Sequence, residues 1–287
     1  MIEQVIPVRR RSLGGFEVGR LLPAVARRMV GPFIFFDHMG PVQLAAGLSR
    51  SADVLPHPHI GLATVTYLFA GEITHRDSVG SELAIRPGEV NWMIAGRGIT
   101  HSERFERARR EGDTIHGIQA WVALPQAEEE TEPSFAHFGT ADLPTLDEPG
   151  FNARLIAGAA FRARSPVPVH SPLFYVHWEL EAGARAELPA EYSERAAYIV
   201  AGSVDVAGAS HGAGEMLVFA AGQPVSFRAL DRATVMLLGG EPVGPRFIDW
   251  NFVSSSRDRI ERAKADWRAG RMKLPQGDDG EFTPLPG

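Results

Sequence analysis

Cysteine is absent from the chain, and this one absence removes disulfides, zinc–thiolate sites, iron–sulfur clusters and thiol nucleophiles together. Any bound metal must then rest on histidine and carboxylate. Long apolar runs are missing as well. The N-terminal stretch MIEQVIPVRRRSLGGFEVGR has no apolar segment long enough for a signal peptide, and no uninterrupted run elsewhere reaches membrane-span length. A cytoplasmic address without membrane contact is the expectation. Positive charge is not in excess either: 29 Lys and Arg stand against 35 Asp and Glu, a formal net charge of −6. Phosphate binding needs clustered cations to release counterions, so direct contact with nucleic acid is not expected. The arginines within 104–110 are interleaved with Glu106, follow Glu103 and precede Glu111, and they read as a solvated face.

Turn formers, by contrast, are plentiful. With 30 Gly and 21 Pro in 287 residues, many short strands are expected rather than a few long helices. The length suffices for two domains, each burying its own core. An internal repeat points the same way. Thr66-Tyr67-Leu68-Phe69-Ala70-Gly71-Glu72-Ile73 aligns with Ala197-Tyr198-Ile199-Val200-Ala201-Gly202-Ser203-Val204, and Pro87-Gly88-Glu89-Val90 aligns with Ala213-Gly214-Glu215-Met216. Gly96 and Gly222 then follow at the same distance from the Gly-Glu pair. The first copy reads as strands over 64–69, 83–85 and 90–94 separated by glycine turns, the arithmetic of an antiparallel sandwich or barrel. These signals divide the chain into an N-terminal domain over 1–125, a linker over 126–150, a C-terminal domain over 151–240, and a helix with its tail over 241–287. The linker carries Glu128-Glu129-Glu130, Pro133, Pro144 and Pro149. The helix takes Ser256 as N-cap and runs over 257–267, with Ile260, Ala263, Lys264 and Trp267 on one side.

Histidines bracket the first copy. His57 and His59 open it, and His101-Ser102-Glu103 closes it. Residues two apart in a strand point to the same face, so each pair can converge on one point. Three imidazoles and a carboxylate around one ion leave up to two positions open on an octahedron, a set that suits Fe(II), Mn, Ni, Cu or Zn. Counted from the aligned glycines, these four positions become Leu188, Ala190, Phe227 and Ala229 in the second copy. Joint loss is what a single site predicts, so one ion is expected in the first barrel and none in a packed second barrel. Other polar residues read as ordinary structure: Asp37-His38 as loop, His75-Arg76-Asp77-Ser78 as a solvated turn, Gly96-Arg97-Gly98 as a strand connection, and His116 and His177 as core histidines.

The stretches PHPHIGLATVTYLFAGEITHRDS and RPGEVNWMIAGRGITHSE resemble the signature of the pirin family in the cupin superfamily. The resemblance extends from FIFFDHMGP to WNFVSSSRDRIERAKADW, which is most of the chain. It implies an all-β fold of two tandem cupins with iron in the N-terminal barrel, held by His57, His59, His101 and Glu103. Some pirins resemble flavonol dioxygenases that open quercetin with O₂, and eukaryotic pirins act as nuclear cofactors of transcription factors. Two functions follow as expectations. One is an Fe(II)-dependent dioxygenase acting on a flavonol, with Glu103 as catalytic base; the other is a non-enzymatic metal- or redox-sensing protein that binds a protein partner. The chain departs from the family at Ala63, where cupins commonly carry a glutamate four residues after the second histidine. Strand parity with 57, 59 and 61 turns Ala63 toward the metal chamber.

Overall fold

The computed structural model describes residues 1–12 and 17–286, so Gly287 at the end of the expected tail lies outside the described residues. Strand Leu62–Ala70 is dense in β-branched and aromatic residues and stops at Gly71, where φ is +91°. A Cβ at that position would lie 2.5 Å from the Thr114 carbonyl oxygen, so the turn requires glycine on both counts. The second copy repeats the device: strand Glu194–Ala201 stops at Gly202, with φ of +73°. Gly88 and Gly214, and Gly96 and Gly222, are likewise paired with positive φ.

The chain divides into two compact units, and each takes a terminus from the far end of the sequence. The first consists of Arg11–Val18, Asp37–His137 and Val243–Gly287; the second consists of Met1–Arg10, Gly19–Phe36 and Phe138–Pro242. In the first unit a four-stranded sheet has the order Val54–His59, Ile99–Arg104, Ile73–Asp77, Glu82–Ile85. It faces a larger sheet in which Ser134–Phe138, Val90–Ile94, Leu62–Ala70 and Asp113–Ala123 are successive neighbours. Leu68 from the larger sheet packs with Ile73 and Ile85 from the smaller, closing the barrel core. In the second unit the small sheet has the matching order Arg185–Leu188, Val225–Ala229, Ser203–Val206, Ala209–Gly212. The N-terminal strand Ile2–Pro7 pairs antiparallel with Glu215–Phe219 of that unit's larger sheet. All pairings between named strands described here are antiparallel, as hairpin-rich sequence predicts.

Several local expectations need correction. Residues 126–150 are not a bare linker, since they include strands Ser134–Phe138 and Thr145–Glu148, one in each unit's larger sheet. Asp37 and His38 lie within strand Phe33–Leu44, not in a loop. The basic run within 104–110 is not a solvated face. Arg104 is fully buried, and its guanidinium reaches Asp53 and Asp278; Arg109 meets Asp53 and Glu106 from the short helix α1, Glu106–Glu111. The second helix, α2, spans Arg257–Arg268 with Ser256 accepting from the Arg259 N–H. Its face of Ile260, Ala263 and Trp267 is buried with Ile60 and Phe252. Lys264 instead pairs with Asp249 and Glu261.

Candidate metal centre

Strand Ile99–Arg104 lies antiparallel to Val54–His59 with His101 directly opposite His57 and Ile99 opposite His59. Alternation then turns all three imidazoles to the barrel interior, where one nitrogen of each lies within 4.8 Å of the other two. Among the described residues this is the one group of three metal-ligating side chains so arranged. Ring centroids are 4.4 Å apart for His57 and His101, 4.9 Å for His57 and His59, and 5.1 Å for His59 and His101. His59 also meets the edge of Trp121 at 5.0 Å.

The hydrogen bonds show which nitrogen is free. His57 Nδ1 lies 2.8 Å from the Leu55 carbonyl oxygen, and His59 Nδ1 lies 3.1 Å from that of Asn251. A carbonyl only accepts, so each Nδ1 carries the proton and each Nε2 keeps its lone pair. His101 Nε2 is buried with no hydrogen-bond partner. An orphaned buried nitrogen beside two lone-pair-bearing ones is costly as an empty core and well suited to an ion. Burial is also the main reason these imidazoles stay neutral. It lowers His57 to about 4, and it holds His59 and His101 well below the ordinary value, with mutual repulsion among the rings adding to the effect. Neutral imidazoles are the form a metal needs.

Glu103 sits two residues beyond His101, but a bulge between them shifts the register, and Glu103 lies opposite Val54. It is not one of the three converging donors. Its carboxyl hydrogen-bonds Thr66, and Thr66 Oγ1 in turn lies 2.9 Å from Gln119 Oε1. Burial raises the Glu103 carboxyl to about 7, offset only in part by the Thr66 bond.

His75 and Asp77 were expected in a solvated turn. They are instead buried in strand Ile73–Asp77, at 4% and 1% exposure. That strand pairs with the His101 strand on the side away from His57, so alternation sends Arg76 outward and His75 and Asp77 inward. The sequence signal was the alternation itself, His-Arg-Asp after a glycine turn, which reads equally as a polar loop until the strand pairing is known.

The second unit shows what the fold looks like without donors. With Phe227 at the position of His101, strand register places Ala186 at the position of His57 and Leu188 at that of His59, because Ala186 opposes Phe227 and Leu188 opposes Val225. The expected counterparts Leu188 and Ala190 are therefore two residues too late relative to the expected counterparts Phe227 and Ala229. Leu188, Phe227 and Ala229 belong to the unit's apolar core. A cavity of about 610 Å³ is lined in part by Ala186 and Phe227, with Arg185, Glu187, Asp205 and Arg228 around it, and contains no imidazole.

Two antiparallel units of matching topology, with three histidines gathered inside one of them, define a two-domain cupin. The chain belongs to the pirin family: residues 15–122 match Pirin and residues 175–273 match the Pirin C-terminal cupin domain. A pirin-like protein from Caulobacter vibrioides is 67% identical over 287 residues, covering 100% of both chains. A solved structure of quercetin 2,3-dioxygenase from Acinetobacter baumannii is 33% identical with a TM-score of 0.90, covering 99% of this chain and 95% of that one. The bacterial pirin YhhW of Escherichia coli, solved in complex with nickel(II), shares the fold at 20% identity and a TM-score of 0.67, over 84% of this chain and 100% of that one. No described helix is long and apolar enough to cross a membrane.

Proposed function

We propose that the chain is an Fe(II)-dependent dioxygenase that opens quercetin or a similar flavonol with O₂, with the ion on His57, His59, His101 and Glu103. The observation that carries this reading is the inward convergence of three neutral imidazoles beside a buried carboxyl. Similarity to the Acinetobacter enzyme supports the substrate class. The ion, when bound, supplies Lewis acidity toward a substrate oxygen and a meeting place for O₂. The chain's own residues do the rest. Leu55 and Asn251 carbonyls orient two of the imidazoles, and the buried walls, Trp121 among them, keep bulk water away. Glu103 takes the proton of the substrate's enolic hydroxyl on its carboxylate.

The test is O₂ consumption and quercetin bleaching by iron-reconstituted protein, with an anaerobic control. Wild type should bleach only with O₂, Glu103→Gln should be slower by ~10²-fold or more, and His57→Ala with His59→Ala should lose both iron and activity. Bleaching that survives in the histidine variants would reflect free iron and sink the enzymatic reading.

One observation favours the second reading, a metal-sensing protein with a protein partner. The strand that carries His101 and Glu103 inward uses Ser102 and Arg104 to hold Asp278 of the C-terminal segment. A change at the ion then has a direct route to a surface segment. Stoichiometric iron with no O₂ uptake on quercetin would place this reading first.

A further inference from the structure

The His101 imidazole differs from the other two in what faces its second nitrogen. His57 and His59 each point Nδ1 at a backbone carbonyl. His101 Nδ1 faces another imidazole, with His75 Nδ1 at 3.4 Å. His75 Nε2 in turn lies 2.9 Å from Asp77 Oδ2. The other Asp77 oxygen, Oδ1, accepts from the Val79 and Ser81 N–H groups at 3.0 and 2.9 Å, which fixes the carboxylate's orientation. Phe135 stacks on the His75 ring at 4.4 Å between centroids and 16° between planes, which fixes the ring.

We propose that Asp77 and His75 are positioning residues for the metal, setting His101 through one hydrogen-bonded series in the tautomer that offers a lone pair at Nε2. The inference rests on the reading of the three histidines as ligands. Each link follows from the one before. A carboxylate only accepts, so the His75 proton is on Nε2 and its Nδ1 bears a lone pair. The contact across 3.4 Å then needs the proton on His101 Nδ1. His101 Nε2, buried and without a partner, is left with the lone pair that an ion requires.

The second unit supplies an independent observation. His75 opposes Glu103 and Asp77 opposes His101; at the same register Val204 opposes Ala229 and Val206 opposes Phe227. Val204 and Val206 are buried in that unit's apolar core. The pair is lost together with the ligands. A histidine and aspartate kept only to stabilise the strand would have no reason to vanish with them.

The experiment has two arms. In the first, nickel(II) binding is measured by calorimetry for wild type, Asp77→Asn, His75→Asn and the double variant. Asp77→Asn keeps the oxygen that caps the Val79 turn but presents an N–H to His75. That reverses both tautomers and puts a proton on His101 Nε2, so nickel affinity should fall by about 10- to 100-fold. His75→Asn keeps an acceptor at the place of Nδ1 without depending on Asp77, so it should bind within about threefold of wild type, and Asp77→Asn should add little in that background. In the second arm, wild type loaded with zinc(II) is labelled with ¹⁵N-histidine. Ring ¹H–¹⁵N correlations should show His75 protonated at Nε2 and His101 at Nδ1. This arm needs no variant and stands if Asp77→Asn fails to fold. Wild type that takes up neither ion overturns the metal reading and this inference with it. Stoichiometric uptake with His101 protonated elsewhere, or with Asp77→Asn binding nickel as wild type does, overturns this inference alone.

Discussion

Ala63 lies four residues after His59, yet it does not face the three converging histidines. Gly61, with φ of +67°, separates strand Val54–His59 from strand Leu62–Ala70, and the two belong to different sheets. Parity cannot be carried through that bend. Within the second strand, Thr66 points to Glu103, so residue 63, an odd number of positions away, points to the opposite side. It is fully buried there. Ala63→Glu therefore neither adds a ligand nor reaches solvent; it buries a carboxylate without a partner. Loss of about 3–5 kcal/mol of stability is expected, the scale of an uncompensated buried charge. Urea unfolding of the variant checks this, and wild-type stability would show that the side chain finds water or a cation.

At the scale of the element, strand Ile99–Arg104 serves two partners through alternation. Its inward residues are His101 and Glu103; its other face grips the C-terminal segment. Thr100 Oγ1 donates to the Lys273 carbonyl at 2.5 Å, Ser102 Oγ donates to Asp278 Oδ2 at 2.5 Å, and Arg104 Nε and Nη2 donate to the same carboxylate at 2.9 and 2.5 Å. Asp278→Ala removes the carboxylate and leaves Arg104, whose side chain is 1% exposed, with Asp53 and Glu281. Charge-assisted bonds of this kind contribute about 1.5–3 kcal/mol. The variant should lose stability on that order, and its C-terminal segment should be cut faster by trypsin at Lys273. Unchanged cleavage would mean that the Trp267 and Thr283 contacts hold the segment alone.

For the whole molecule, buried imidazoles decide the response to acid. His38 and His57 are lowered to about 4, and His59, His101 and His116 are also lowered, with burial the main cause in each. Unfolded, these groups take up a proton near 6.5; folded and metal-free, they resist it. Between those limits the unfolded state binds more protons, so stability falls as pH drops from about 6.5 toward 4. Glu103 acts in the opposite sense. Its carboxyl, near 7 when folded against an ordinary 4.5, contributes stability at low pH that is lost as pH rises through 7. Five imidazoles outweigh one carboxyl, so the urea midpoint of metal-free protein should be lower at pH 5 than at pH 7. A flat profile would show that these rings are already hydrated.

Much of this protein follows from sequence alone, because local rules suffice. Glycines that must adopt positive φ mark the repeat, alternation marks the strands, and Ser256 caps α2 where the apolar spacing begins. The three histidines were legible for the same reason: residues two apart in a strand share a face whatever the strand packs against. What needed tertiary structure depends on register between distant segments. Ala186 rather than Leu188 answers His57 because the connections between strands differ in length, which no count along one copy reveals. His75 and Asp77 join the three converging histidines only because their strand pairs with that of His101. The exchange of chain ends between the units is of the same kind. The Asn251 carbonyl that orients His59 is 192 residues away, and hydrogen bonding over that separation is set by how the sheets close, not by any spacing in the chain.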